Sequence, residues 1–131
     1  MTHRDTILPP SAEHVIAALE ACAELIEAGH CKGQAHTVIE DTDCWCLMAA
    51  LTKSCATAVV YIEHHEDGQY RVDRGIIPGK SIREAALTAL RIAMSPRWSG
   101  SLAEFNDVSS TDAVINLCHR AIGLVRKSVA A

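Results

Sequence analysis

A chain of 131 residues with 49% hydrophobic side chains fits one domain with a true core, and aromatics at only 4% leave Ala, Leu, Ile and Val to fill it. A net charge of −4 with no Lys/Arg cluster argues against a dedicated nucleic-acid binder, which carries a basic stripe. No apolar run approaches the roughly 20 residues of a membrane span, and Met1-Thr2-His3-Arg4-Asp5 has no signal-peptide core, so a soluble, cytoplasmic protein is expected. In that compartment the six cysteines read as thiols or metal ligands before disulfides.

Residues 1–10 end in Pro9-Pro10 and are expected to form a flexible lead-in to a single globular domain over 11–131. Ser11 can cap a helix running to about Ala28, with Val15, Leu19, Cys22 and Ile26 on its apolar face, supported by Ile16 and Ala23. Gly29 stands where a left-handed helix stop belongs. His30 to Thr42 shows no sustained period and reads as an ordered loop, with a short extended piece at Thr37-Val38-Ile39.

Asp43 to Ala56 is the least polar stretch and holds three cysteines and Trp45. Read as a helix, it places Cys44, Leu47, Met48, Leu51 and Cys55 on one face, while Trp45, Cys46, Ala49 and Ala50 make the other face apolar too. A helix apolar all round is normally buried, so this stretch is expected to be the central helix.

The β-branched run Thr57–Ile62 followed by Glu66-Asp67-Gly68 predicts an antiparallel hairpin. A two-residue Asp-Gly loop would pair Ile62 with Asp73 and mix polar with apolar residues on each face. A three-residue loop at 66–68 pairs Ile62 with Val72 and His64 with Tyr70, and is the register expected. Ser81-Ile82-Arg83-Glu84 has the capping-box pattern for a helix with Ile82, Ala85, Ala86, Ala89, Leu90 and Ala93 on its face, ended by Pro96. Arg97 to Asp107 is a connector with a helical turn at Ser101–Phe105. Ser109 with Asp112 caps the last helix, whose face is Val114, Leu117, Cys118, Ala121, Ile122, Val125 and Val129. The fold class is therefore α+β: about four helices around a buried central one, with one hairpin.

Three chemistries compete for the polar residues. His30, Cys31, Cys44 and Cys46 offer enough soft ligands for zinc, but residues two apart on a helix diverge by about 200°, so Cys44 and Cys46 could share an ion only if the helix starts later. Ordinary buried thiols explain the same residues. A thiol enzyme would need an activated Cys31, Cys44 or Cys46, and no complete Cys/His/Asn arrangement can be assigned. Gly75–Ser81 ends like a phosphate loop but has three residues between its glycines, one of them Pro78, so only weak anion binding at Lys80 and Ser81 is expected. His64 and His65 point to opposite faces of a strand and are not a chelating pair.

The segments Gly29–Ala35, Cys44-Trp45-Cys46-Leu47–Leu51, and Phe105-Asn106-Asp107 with Thr111–Ile115 and Arg120-Ala121-Ile122 occur in an order that resembles a family of small uncharacterised proteins of actinobacteria and bacteriophages. The Cys-Trp-Cys-Leu run is its most specific part. Cys31, Ala49 and Phe105 stand where that family carries tryptophan, glycine and tryptophan. The resemblance implies a shared fold and a phage or mobile-element origin, with interference in host defence one role open to such a protein, and it brings no established activity with it.

The expectation is a non-enzymatic protein that contacts a macromolecular partner, a protein rather than nucleic acid or membrane. Trp98 and Arg97 are its candidate anchors, since exposed Trp and Arg are favoured at hot spots. Asn106 and Asp107 are a second candidate pair, against the plainer reading that they bond a turn. No cofactor is expected, with zinc the alternative, and the Ala-rich helices are compatible with a homodimer.

Overall fold

The computed structural model describes residues 5–130. Met1–Arg4 of the expected lead-in lie outside them; Asp5–Ile7 is strand β1. Helix α1 (Ala12–Ala28) follows, with Ser11 Oγ accepting from the His14 N–H as its cap. Strands β2 (His36–Ile39) and β3 (Thr42–Trp45) precede helix α2 (Leu47–Ser54). Strands β4 (Ala58–Glu66) and β5 (Gln69–Ile77) lead to α3 (Gly79–Ala93), α4 (Leu102–Val108) and α5 (Thr111–Ala130). The architecture is α+β, with a three-stranded sheet in the order β1-β5-β4 and a separate antiparallel pair β2-β3. β1 runs parallel to β5, pairing Ile7 with Ile76.

The core lies between the helices. Val15, Leu19, Cys22 and Ile26 of α1 are buried with Val114, Leu117, Cys118 and Ile122 of α5, and Leu47 and Leu51 of α2 with Ile82 and Leu90 of α3 join them. α1 packs on α5, α2 and α3, so it, and not the Cys44 stretch, is the helix the others surround. The expected long helix over 43–56 is corrected: Cys44 and Trp45 are strand, Cys46 is the N-cap, and α2 has eight residues. A short apolar run fits strand and helix alike, and long-range pairing decides between them. Here Thr37 pairs with Cys44 and His36 with Trp45.

The hairpin register is also corrected. Glu66 pairs with Gln69 and Ile62 with Asp73, so the loop has two residues. Asp67 and Gly68 both take positive φ, 51° and 75°, as a type I′ turn requires. The polar residue that this register places on the inner face is partnered at one oxygen: Asp73 Oδ2 lies 3.0 Å from His64 Nε2 and 3.4 Å from Arg71, while Oδ1 is buried without a hydrogen-bond partner among the described residues. Gly29, expected in a left-handed conformation, is extended at φ −171°. α3 begins at Gly79 after Pro78, without a side-chain cap. Ser81 sits inside its first turn, with the hydroxyl donating to the Pro78 carbonyl at 2.8 Å.

Candidate functional site

The end of α1 and the start of α2 are held together by a strand-like clasp. Trp45 N–H donates to the Gly29 carbonyl at 2.9 Å, and Cys31 N–H to the Trp45 carbonyl at 3.1 Å. Cys46 N–H donates to the Ala35 carbonyl at 2.9 Å. A Cβ at Gly29 would collide with the Asp43 carbonyl, so the close approach of the two segments, and not a left-handed turn, is what needs glycine there.

Asn106, on α4, closes the clasp from the far side. It is buried (1% exposed), and each end of its amide has partners. Oδ1 accepts from the Leu47 N–H at 3.0 Å, one of the orphan donors of α2, and lies 2.7 Å from His30 Nε2. Nδ2 donates to the Cys31 carbonyl at 3.1 Å and to Asp107 Oδ1 at 3.2 Å. Because Oδ1 can only accept, His30 donates to it from Nε2, and His30 Nδ1 lies 3.0 Å from the Thr111 hydroxyl. Asp107 Oδ1 also accepts from the Gly33 N–H at 2.8 Å. That bond, followed by the one from Asn106, holds the Asp107 carboxyl below its ordinary value. Three pieces of chain therefore meet at one amide, the loop at 30–31, the start of α2 and α4, and His30 carries the network on to Thr111 at the start of α5.

A family model matches residues 10–124, from the lead into α1 to the middle of α5. The chain belongs to DUF6197, a family of unknown function. Neither a curated protein nor a solved structure matches it. The matched stretch of this DUF6197 chain contains every residue of the Asn106 network.

The DUF6197 structure distributes the four candidate metal ligands over different tasks. His30 bonds Asn106 and Thr111; Cys31 Sγ lies 3.3 Å from the Gln34 carbonyl and 3.5 Å from that of Cys44. Cys44 Sγ faces the Thr42 carbonyl at 3.6 Å, and Cys46 Sγ accepts from the Ala49 N–H at 3.4 Å as the cap of α2. Among the described residues no three His, Cys, Asp or Glu side chains form a group that could hold a metal ion. Burial pushes the Cys31 thiol up, and Cys55 likewise. Asn106 and Asp107 lie within α4 and make tertiary bonds, not a turn. Trp98 is half-buried edge-on against Phe105, with its indole N–H donating to the Ser101 carbonyl at 3.2 Å, while Arg97 is exposed. At Lys80 and Ser81 the helix start is partly occupied, since Gly79 N–H donates to Thr57 Oγ1 at 3.1 Å.

Two clefts flank the clasp. One, of about 250 Å³, is lined by Gly33, Gln34, Met48, Ala103, Asn106 and Asp107 among others. Its neighbour, of about 500 Å³, has His36, Trp45, Ala49 and Thr52 in its wall, with Lys53 and Arg83. Ala35, Cys46 and Met48 border both, making one groove with a shared rib. The His36 ring lies against Trp45, tilted by 44° with ring centres 4.3 Å apart, and bonds Asp43 at 2.8 Å. Arg83 Nε is buried without a hydrogen-bond partner, and neither Arg83 nor Lys53 has an ion pair among the described residues. Sequence reasoning missed both cations. They are 30 positions apart on different helices, and no spacing rule links them.

Proposed function

We propose that this DUF6197 protein is a non-enzymatic binding module that takes an acidic, partly apolar segment of a protein partner into the groove beside Cys46. One observation carries the reading. On a chain of net charge −4, the apolar groove is bordered by two cations, Lys53 and Arg83, that have no ion-pair partner among the described residues. A carboxylate arriving at the guanidinium of Arg83, where that side chain lines the groove, would make a charge-assisted bond. Met48, Ala35 and the Trp45 ring offer apolar surface beside it, a mix suited to a short peptide segment with one acidic and one or two aliphatic residues. Within this reading Trp98 acts through α4, which it braces at Phe105 and whose Ala103, Asn106 and Asp107 line the groove. The phage origin implied by the sequence resemblance would make that partner a host protein.

The test is selection from a displayed library of random peptides, repeated with Arg83→Glu and Lys53→Glu. Peptides carrying Asp or Glu beside aliphatic residues should be enriched, should quench or shift the Trp45 fluorescence, and should be lost in the charge-reversed proteins. Their binding should also slow alkylation of Cys46. Enrichment that survives Arg83→Glu, or no enrichment at all, would overturn the assignment of the groove.

A further inference from the structure

The hairpin is not used by this site, and its outer half is unlike the rest of the molecule. Between Ala58 and Arg74 no residue is buried; only Gly75 and Ile77, at its base, are. Apolar side chains nevertheless run along it, with Val59 49%, Tyr61 65% and Tyr70 47% exposed. β4 is the edge of its sheet and has nine residues.

Loop geometry decides which way its backbone points. Glu66 and Gln69 flank a two-residue loop and form the hydrogen-bonded pair that closes it. Alternation then turns the N–H and C=O groups of Ala58, Val60, Ile62 and His64 toward β5, and those of Val59, Tyr61, Glu63 and His65 outward. No backbone bond from another element reaches these outward groups among the described residues. Long exposed edges in monomers are normally guarded by proline, lysine or a bulge. Ala58–Glu66 contains no Pro, no Lys or Arg, and no residue with positive φ; its charged residues are Glu63 and, at its end, Glu66.

We propose that β4 is a dimer seam: two copies of this chain pair their β4 edges antiparallel about a two-fold axis at Ile62, joining two three-stranded sheets into one of six. The occupant is a second copy because the strand is complementary to itself in that register. Ile62 is the midpoint of Ala58–Glu66, so all nine residues pair. The register sets Tyr61 opposite the partner's Glu63 and Val59 opposite the partner's His65, in both directions. Each of these is an outward-facing residue meeting another, the match that an antiparallel ladder needs, for about eight new hydrogen bonds. No two like charges fall directly opposite. The Tyr61 ring lies beside the partner's Glu63, in the setting where Tyr70 already donates to Glu63 within one chain at 2.9 Å. A free peptide would cover one edge, whereas self-pairing covers both and closes. The remaining outer edge is β1, which has three residues among those described, too short a strand to add a further copy, so the assembly stops at two.

The test uses the full chain in sedimentation velocity from micromolar to near-millimolar concentration, with Glu63→Pro beside it. Proline at an outward-facing edge position removes only a donor that β5 does not use, so the fold survives while the seam loses its central pairs. The expected result is a species of twice the 14.1 kDa chain that becomes monomeric in Glu63→Pro with unchanged circular dichroism. A wild-type monomer throughout, or a dimer that a folded Glu63→Pro leaves intact, would overturn the proposal. Should Glu63→Pro unfold, amide exchange of the wild-type protein decides. Protection of Tyr61 and Glu63 that grows with concentration supports the seam, and fast exchange independent of concentration refutes it. A monomer that protects the same amides only on adding an extended peptide would replace self-pairing with strand addition.

Discussion

Asn106 satisfies the Leu47 N–H, the Cys31 carbonyl and His30 with one side chain, so its removal strands several groups at once. Asn106→Ala should destabilise the protein by about 2–4 kcal/mol, since each buried group left without a partner costs about 1–3 kcal/mol and some will find water. Urea unfolding checks this; a change within about 0.5 kcal/mol, the range of ordinary surface substitutions, would remove Asn106 from the role assigned to it. Asp107 adds an acid dependence. Its folded-state pKa is lowered from 3.8, chiefly by the Gly33 N–H, so the stability it contributes is fully present above that value. That contribution is lost as pH falls through the lower folded pKa. Asp107→Asn should therefore be less stable than wild type at neutral pH, and the two curves should converge as pH drops below 3.8. Curves that stay parallel into strong acid would mean that the Gly33 bond does not depend on the charge.

At the level of elements, legibility followed the range of the interactions that decide each one. α1 was readable because Val15, Leu19, Cys22 and Ile26 recur at the helical period and Ser11 supplies a local cap, all within its own 17 residues. The last helix was readable for the same reason through Val114, Leu117, Cys118 and Ile122, though Ser110 rather than Ser109 bonds its first turn, at the Ala113 N–H. Cys44-Trp45-Cys46 was not. Its partners are Gly29, Cys31, Ala35, His36 and Thr37, and nothing inside the run distinguishes a strand that meets them from a buried helix. The hairpin's existence was legible and its register was not. Unmixed faces would keep Asp73 from pointing inward, but His64 reaches it from β4 and Arg71 from two residues earlier on β5. The candidate site was least legible of all, because His30 and Asn106 lie 76 positions apart and meet only after five helices have packed.

Over the whole molecule five of the six free thiols, all but Cys55, mark three depths of the fold, and their reactivity should report how it opens. Cys22 and Cys118 lie in the α1–α5 core with no exposure, and the neighbouring Cys118 thiol, together with burial, pushes the Cys22 thiol up. Cys31 and Cys44 are buried under the clasp, whose bonds to Trp45 and Asn106 must break first. Cys46 is only half-buried and borders the groove. Free energies of opening span a wide range within one domain, from nearly zero at loose segments to the global value in the core. Quantified labelling by mass spectrometry should therefore find Cys46 first and Cys31 and Cys44 later. Cys22 and Cys118 should be slower than Cys46 by about a thousandfold or more, because they wait for global unfolding of a domain stable by about 5–15 kcal/mol. Asn106→Ala discriminates the layers. It should bring Cys31 forward more than Cys22, since it loosens the clasp directly and the core only through total stability. If Cys22 and Cys31 advance by the same factor, the clasp and the helical core open as one unit, and the groove has no independent flexibility for admitting a partner.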